Sequence, residues 1–202
     1  QECATGLFAI VGQAAWRGDP TSIDRLACLL IVRRPPRRRS GKERAVEVAN
    51  KVAVVTGSSA GVGRAPAERL AALGASVVVN YAHSKADAEE VVAGIRAAGA
   101  TAHAKQADIG DDAQCRALIQ DAVDTYGGLQ ILVNNAGATH FIDHADLEAV
   151  TKDVWSDIMS VNLEGAFNCT RAAAPYMREA GEGAVVNVSS VAGLGGGGSS
   201  IP

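Results

Sequence analysis

Short apolar runs rich in β-branched residues recur along this chain, spaced so that one helix fits between each pair, and the alternation begins at Lys51. KVAVVTG (51–57) gives way to a helix-forming stretch, ASVVVN (75–80) precedes a helix expected over 85–98, and ATAHAKQAD (100–108) precedes one over 112–126. LQILVNNAG (129–137), a longer helix over 151–180 and GAVVNVSS (183–190) continue the series. Runs that are apolar throughout suit strands covered on both faces. Strands alternating with helices call for a parallel sheet, because each right-handed crossover returns the chain to the sheet with its helix on a face. The expected architecture is therefore α/β, a doubly wound parallel sheet of Rossmann-like type. Trp155, Ile158, Met159, Leu163 and Phe167 fall at near-helical spacing in the long helix and are assigned to the core.

The run at 51–57 leads into TGSSAGVG, in which Gly57, Gly61 and Gly63 stand as G-x-x-x-G-x-G. Glycine admits a positive φ in a tight turn and a close backbone approach to a ligand. Because the turn joins a strand to a helix, the unpaired N–H groups of that helix face outward, an arrangement suited to a pyrophosphate. A glycine turn with no ligand is the simpler alternative for the same residues. Pro66 falls in or just after the first helical turn, where a missing N–H begins to cost a hydrogen bond.

Charge divides the chain. Residues 1–50 hold nine Lys and Arg against five Asp and Glu, and residues 51–202 hold ten against seventeen, within a net charge of −3. RRPPRRRSGKER (33–44) is basic, contains two prolines and buries nothing, so it is expected to be solvated or disordered. It separates an extension of unknown role at 1–50 from the domain at 51–202. No aromatic is interleaved among those arginines, which leaves a nucleic-acid arm as a minor alternative. Residues 1–34 show neither a sustained helical period nor strand alternation, and Glu2, Asp19 and Asp24 are wrong for a transit segment. With 48% hydrophobic residues and no apolar run approaching the roughly 20 residues of a bilayer span, the chain reads as soluble with no membrane segment. Cys3, Cys28, Cys115 and Cys169 lie far apart with no C-x-x-C pair, so no zinc site or disulfide framework is expected and a cytoplasmic setting is the default. His140, Asp143, His144 and Asp146 are read as a solvated connection, with no metal assigned.

TGSSAGVG, Asp108-Ile109, NNAG (134–137), Asn162 and NVSS (187–190) occur in one order and at intervals that are those of a known family. Over 51–202 the sequence resembles the short-chain dehydrogenase/reductase family, with a flavour similar to acyl-carrier-protein reductases and glucose or polyol dehydrogenases. The resemblance implies an NAD(P)-dependent oxidoreductase that moves hydride between a nicotinamide and a ketone or secondary alcohol, the cofactor carrying the hard step. It makes Gly57, Ser59, Gly61, Val62 and Gly63 the pyrophosphate turn, sets Asp108 and Ile109 beside the adenine, and lines the cofactor with Asn135, Ala136 and Gly137. Asn162 corresponds to the family's helix asparagine that holds a proton-relay water, and Ser190 to the serine that hydrogen-bonds the substrate. The implied substrate is a small carbonyl or alcohol, and the implied full-length parent is a homo-oligomer.

The family draws its proton from the tyrosine of a Tyr-x-x-x-Lys helix, whose lysine brings the phenol toward neutral. Counted from Ser190, that tyrosine is expected immediately after Pro202, and none of Tyr81, Tyr126 and Tyr176 is taken as its replacement. The expectation is thus an N-terminal fragment with a C-terminally incomplete sheet, no turnover of its own, and Val185, Val186 and Val188 on an unpaired edge. A non-catalytic dinucleotide-binding module is the alternative. NAD-preferring relatives place an acidic residue after the strand at 75–80, whereas this chain reads Asn80, Tyr81, Ala82, His83, Ser84. Asn80, His83 and Ser84 can donate hydrogen bonds to a 2′-phosphate, with Lys85 close by, so NADP(H) is favoured over NAD(H). Ala60 moderates that preference, because many NADP-dependent relatives carry a basic residue there.

Overall fold

A computed structural model describes the strand Leu7–Ile10 and residues 47–190. Six parallel strands form one sheet: β1 Leu7–Ile10, β2 Val52–Val55, β3 Ser76–Tyr81, β4 Ala102–Gln106, β5 Ile131–Asn134 and β6 Ala184–Val188, in the spatial order β1-β6-β5-β2-β3-β4. From β2 the chain steps outward through α1 (Gly61–Ala72) to β3 and through α2 (Lys85–Ala97) to β4. It then crosses back through α3 (Asp112–Tyr126) to β5 on the opposite side of β2, and reaches β6 through α4 (Lys152–Met159) and α5 (Ala166–Glu179). The reversal between β2 and β5 leaves a crevice at the carboxyl ends of these strands, which is where open α/β sheets hold ligands.

All four residues of β2 are buried, and their alternation divides the core in two. Val52 and Val54 face the layer of α3 and α5, packed with Leu118, Ile119 and Ala173. Ala53 and Val55 face α1 and α2, packed with Ala67, Val91 and Ile95. A strand buried on both faces has no polar positions, which is why 52–55 reads as an unbroken apolar run. The helix ends follow local chemistry. Asp111 caps α3 by accepting from the Gln114 N–H at 3.1 Å, and Gly127 ends it at φ 83°.

Two sequence-based expectations are revised. The helix expected over 151–180 is interrupted by a π-helical segment, Ser160–Gly165, between α4 and α5. That insertion shifts the helical phase, so residues before and after it do not share one inward stripe. Ile158 is buried, but Trp155, Leu163 and Phe167 are 44%, 58% and 61% exposed, while the small residues Cys169, Ala172 and Ala173 take the inward face of α5. Pro66, expected in or just after the first turn, is the sixth residue of α1 and falls just after that turn. Its missing N–H therefore leaves the Val62 carbonyl without its helical donor.

The second revision concerns the sheet edge. LFAI (7–10) pairs parallel with β6 in the register Leu7↔Val185 to Ile10↔Val188, so residues 1–34 do contain a strand and the edge carrying Val185, Val186 and Val188 is covered. Four apolar residues suffice because the unpaired backbone of β6 supplies the template. The basic run at 33–44, Cys3 and Cys28 lie outside the described residues.

Candidate functional site

Thr56, buried at the end of β2, joins the two halves of the crevice. Its hydroxyl accepts from the backbone N–H of Asn135 and of Ala136, both at 2.9 Å. The turn after β2 is thereby pinned to the turn after β5. Asn135 adds a second tie, its Nδ2 donating to the carbonyls of Thr56 and Gly57 at 3.0 Å each. Gly57 has φ 59°, and a Cβ there would lie 2.8 Å from the Ala136 Cα. At Gly63 a Cβ would lie 2.3 Å from Asn135 Nδ2 and 2.4 Å from the Gly57 carbonyl. The glycine pattern is thus a packing requirement of the turn before any ligand is considered.

Helix α1 opens from this turn with Ala60 at its N-cap, no side-chain cap and no acidic residue in its first turn. Its first N–H groups have no partner within the helix and carry the positive end of the helix dipole. Beside them lies a cleft of about 790 Å³, walled by Gly57, Val62, Gly63, Asn135, Ala136 and Gly137. Asp108 and Ile109 after β4, and Ala82 and His83 after β3, extend the wall. The Asp108 Oδ1 accepts from the Gly110 N–H at 2.9 Å, and the Asp108 N–H donates to Gln114 Oε1 at 2.9 Å, so this corner is fixed by its own turn. Ile109 is backed by Gly165, where a Cβ would lie 2.5 Å from the Ile109 carbonyl.

The residues expected at the site divide accordingly. Asn80 reaches the cleft wall, but its amide is engaged with backbone carbonyls. Ser59, Gly61, Ser84, Asn162 and Ser190 are not among the walls. Asn162 lies in the π-helical segment, and both ends of its carboxamide are held by Ala138: Oδ1 accepts from the Ala138 N–H at 2.7 Å and Nδ2 donates to the Ala138 carbonyl at 2.9 Å. Its side chain therefore pins the loop after β5. Ser190 is exposed just beyond β6. Behind it, Asn187 Oδ1 accepts from Asn134 Nδ2 at 2.8 Å, a link that carries the β5–β6 pairing up to the site.

Other cleft residues carried no sequence signal of their own. Ala82, Ala107 and Ala138 are identifiable only as neighbours of strand ends. His140, in the loop after β5, and Asp157, on α4, meet at 3.3 Å, a pairing that tertiary structure alone creates. In the same loop Asp143 and Asp146 accept from the Ala145 and Ala149 N–H groups, so both carboxylates serve local turns.

No described tyrosine lines the cleft. Tyr81 and Lys85 do have the Tyr-x-x-x-Lys spacing, but Tyr81 ends β3, Lys85 begins α2, and the lysine pairs with Glu89 at 3.6 Å. They do not share one helix face. The Tyr126 hydroxyl lies 2.9 Å from His103 Nδ1, and burial raises its pKa. Tyr176 donates to Gln120 Oε1 at 2.6 Å.

A doubly wound parallel sheet with an uncapped helix N-terminus at its reversal point defines the Rossmann type of α/β protein. Residues 51–201 match the family model described as short chain dehydrogenase, and the chain belongs to that family. It is 48% identical over 151 residues to a protein of Streptomyces violaceoruber named as ketoacyl reductase 2 of the granaticin polyketide synthase, covering 75% of this chain and 59% of that one. It is 44% identical over 143 residues to a 3-oxoacyl-[acyl-carrier-protein] reductase of Staphylococcus aureus, covering 71% and 57%. Among solved structures, a short-chain dehydrogenase/reductase from Burkholderia xenovorans superposes with a TM-score of 0.72 at 38% identity, over 75% of this chain and 64% of that one. A short chain dehydrogenase from Mycobacterium avium superposes with a TM-score of 0.65 at 38% identity, over 73% and 55%. The chain thus spans less than two thirds of the length of these relatives.

Proposed function

We propose that residues 51–202 are the dinucleotide-binding part of an NAD(P)-dependent oxidoreductase that exchanges hydride between a nicotinamide and a ketone or secondary alcohol. The observation that carries this reading is the uncapped N-terminus of α1, free of acidic residues in its first turn and opening onto the cleft through glycines that leave no room for a Cβ. A bound nicotinamide would supply or accept the hydride. The chain's own residues do the rest. The first N–H groups of α1 hold the pyrophosphate, Asp108 and Ile109 border the adenine, and Asn135, Ala136 and Gly137 border the remainder. Ser190 orients the substrate oxygen, while Asn162 fixes the loop through Ala138. The names of the relatives make a ketoacyl thioester the first substrate class to test.

NADP(H) is the proposed dinucleotide. Ala82 and His83 are the β3-end residues on the cleft wall, and neither brings a carboxylate to repel a 2′-phosphate. The proposed setting is the cytoplasm, and no described helix is long and apolar enough to cross a membrane. The exposed Trp155, Leu163 and Phe167 support a homo-oligomeric parent. For the 202-residue chain by itself, the absence of any tyrosine from the described cleft walls favours the second reading, a binding module without turnover.

Fluorescence titration of the purified chain tests these points. Saturable binding is expected for both reduced nucleotides, tighter for NADPH, with the difference shrinking as salt screens the 2′-phosphate. Oxidation of NADPH with an acetoacetyl thioester should run no faster than in a Ser190→Ala control. Absence of saturable binding would sink the dinucleotide reading, and tighter binding of NADH would sink the choice of cofactor.

A further inference from the structure

Asn80, the last residue but one of β3, is 1% exposed, and its carboxamide is bonded in two directions. Oδ1 accepts from the Gly57 N–H at 3.0 Å. Nδ2 is within reach of the carbonyls of Ala107 at 3.1 Å, Lys105 at 3.3 Å and Tyr81 at 3.4 Å. The backbone repeats the first link: the Ser58 N–H donates to the Asn80 carbonyl at 2.9 Å, and the Asn80 N–H donates to Ser58 Oγ at 3.1 Å. A carboxamide has only two N–H donors, and here three carbonyls compete for them. Withdrawing the group toward a ligand would leave buried backbone groups unpaired, a costly exchange.

We infer that Asn80 is a positioning residue whose carboxamide ties the glycine turn at Gly57 to the β4 end that leads into Asp108, and that it takes no part in recognising a 2′-phosphate. The inference rests on the dinucleotide reading above and departs from the sequence-based expectation that Asn80 donates to that phosphate. The spacing between the phosphate-facing turn and the Asp108–Ile109 wall must match the span of one dinucleotide, and Asn80 bridges the two. Asparagine suits the place because one short planar group carries both the acceptor for Gly57 and the donor for Ala107. Aspartate lacks the donor, and serine is too short to span the gap.

The test uses the full chain, with NADPH and NADH titrated in parallel and amide exchange followed at Gly57. Asn80→Ser is expected to weaken both nucleotides by a similar factor, on the order of tenfold for the loss of a buried hydrogen-bonded link. The ratio of the two affinities should stay unchanged, and the Gly57 N–H should exchange faster. A loss confined to NADPH would overturn the inference, as would unchanged binding of both. If Asn80→Ser does not fold, the near-isosteric Asn80→Asp serves instead. It keeps the acceptor and so a slowly exchanging Gly57 N–H, but loses the donor toward Ala107, and NADH should still bind several-fold more weakly. Unchanged NADH binding in that variant overturns the proposal. If the unsubstituted chain binds neither nucleotide, the dinucleotide reading falls on its own. Gly57 exchange then judges the link, which is overturned if that amide is already fast or is indifferent to Asn80→Ser.

Discussion

At Gly63 one methyl group decides whether the turn can close. The position a Cβ would take is already occupied by Asn135 Nδ2 at 2.3 Å and the Gly57 carbonyl at 2.4 Å, and the amide is itself held by two carbonyls. Gly61 is the contrast: φ is 55°, yet nothing lies within 4 Å of its Cβ position. Gly63→Ala must therefore displace a hydrogen-bonded neighbour, and overpacking of this kind costs about 1–3 kcal/mol. Gly61→Ala meets only backbone strain, of roughly 1–2 kcal/mol. Both substitutions should lower the melting temperature by comparable amounts, but Gly63→Ala alone should weaken nucleotide binding tenfold or more, because it moves the turn away from Asn135. Equal retention of binding in the two variants would show that this contact does not shape the site. The sequence marked these glycines by their spacing, for the positive φ of a tight turn, which Gly57 and Gly61 adopt, and for ligand approach. The packing of Gly57 against Ala136 and of Gly63 against Asn135 involves residues more than seventy positions away, which no local pattern reveals.

Among the elements, α3 and β4 are joined by a polar cluster that periodicity could not anticipate. Asp121 on α3 accepts from Lys105 Nζ at 2.7 Å and meets His103 Nε2 at 2.6 Å, and His103 and Lys105 are alternate residues of β4 on one face. Burial raises the Asp121 carboxyl, but its hydrogen bonds to Lys105 and His103 outweigh that effect and hold its pKa below the ordinary aspartate range. A carboxyl depressed in the folded state stabilises the fold above its unfolded pKa of about 3.9, and that contribution fades as pH falls through the lower folded value. Asp121→Asn should cost about 1 kcal/mol at pH 7, a modest figure because the cluster is partly exposed. Urea denaturation at pH 7 and again near pH 3 should show the gap between the two proteins narrowing in acid, and a gap independent of pH would contradict the assignment. The bounds of the regular elements were readable where one period held throughout, as for α3, whose expected span of 112–126 agrees with Asp112–Tyr126. They were unreadable across Ser160–Gly165, because a π-helical segment changes the period without leaving a letter pattern of its own. The burial expected for Leu163 and Phe167, within and beyond that segment, failed for that reason.

For the whole molecule, the doubly wound order of β2 to β6 was legible because alternation of strand and helix admits few other arrangements. The role of β1 was not, because pairing with β6 joins residues nearly 180 positions apart and is encoded by a four-residue run that resembles any other apolar patch. The two sides of the sheet solve the edge problem differently. β4 is only partly buried and carries Lys105 and Gln106, charged and polar residues that discourage pairing with another chain. β6 reads AVVNV and has no charge of its own, so without β1 it would present an apolar strand with unpaired N–H and C=O groups. Deleting residues 1–10 should therefore leave the core of β2 to β5 folded, with near-native far-ultraviolet circular dichroism. The same deletion should make the chain associate through Ala184–Val188. Sedimentation velocity at rising micromolar concentration is expected to show larger species for the shortened chain than for the full one, and Val186→Lys in the shortened chain should reverse much of that shift by restoring a charge to the edge. Identical sedimentation of the full and shortened chains would mean that β1 is dispensable as a cover for β6.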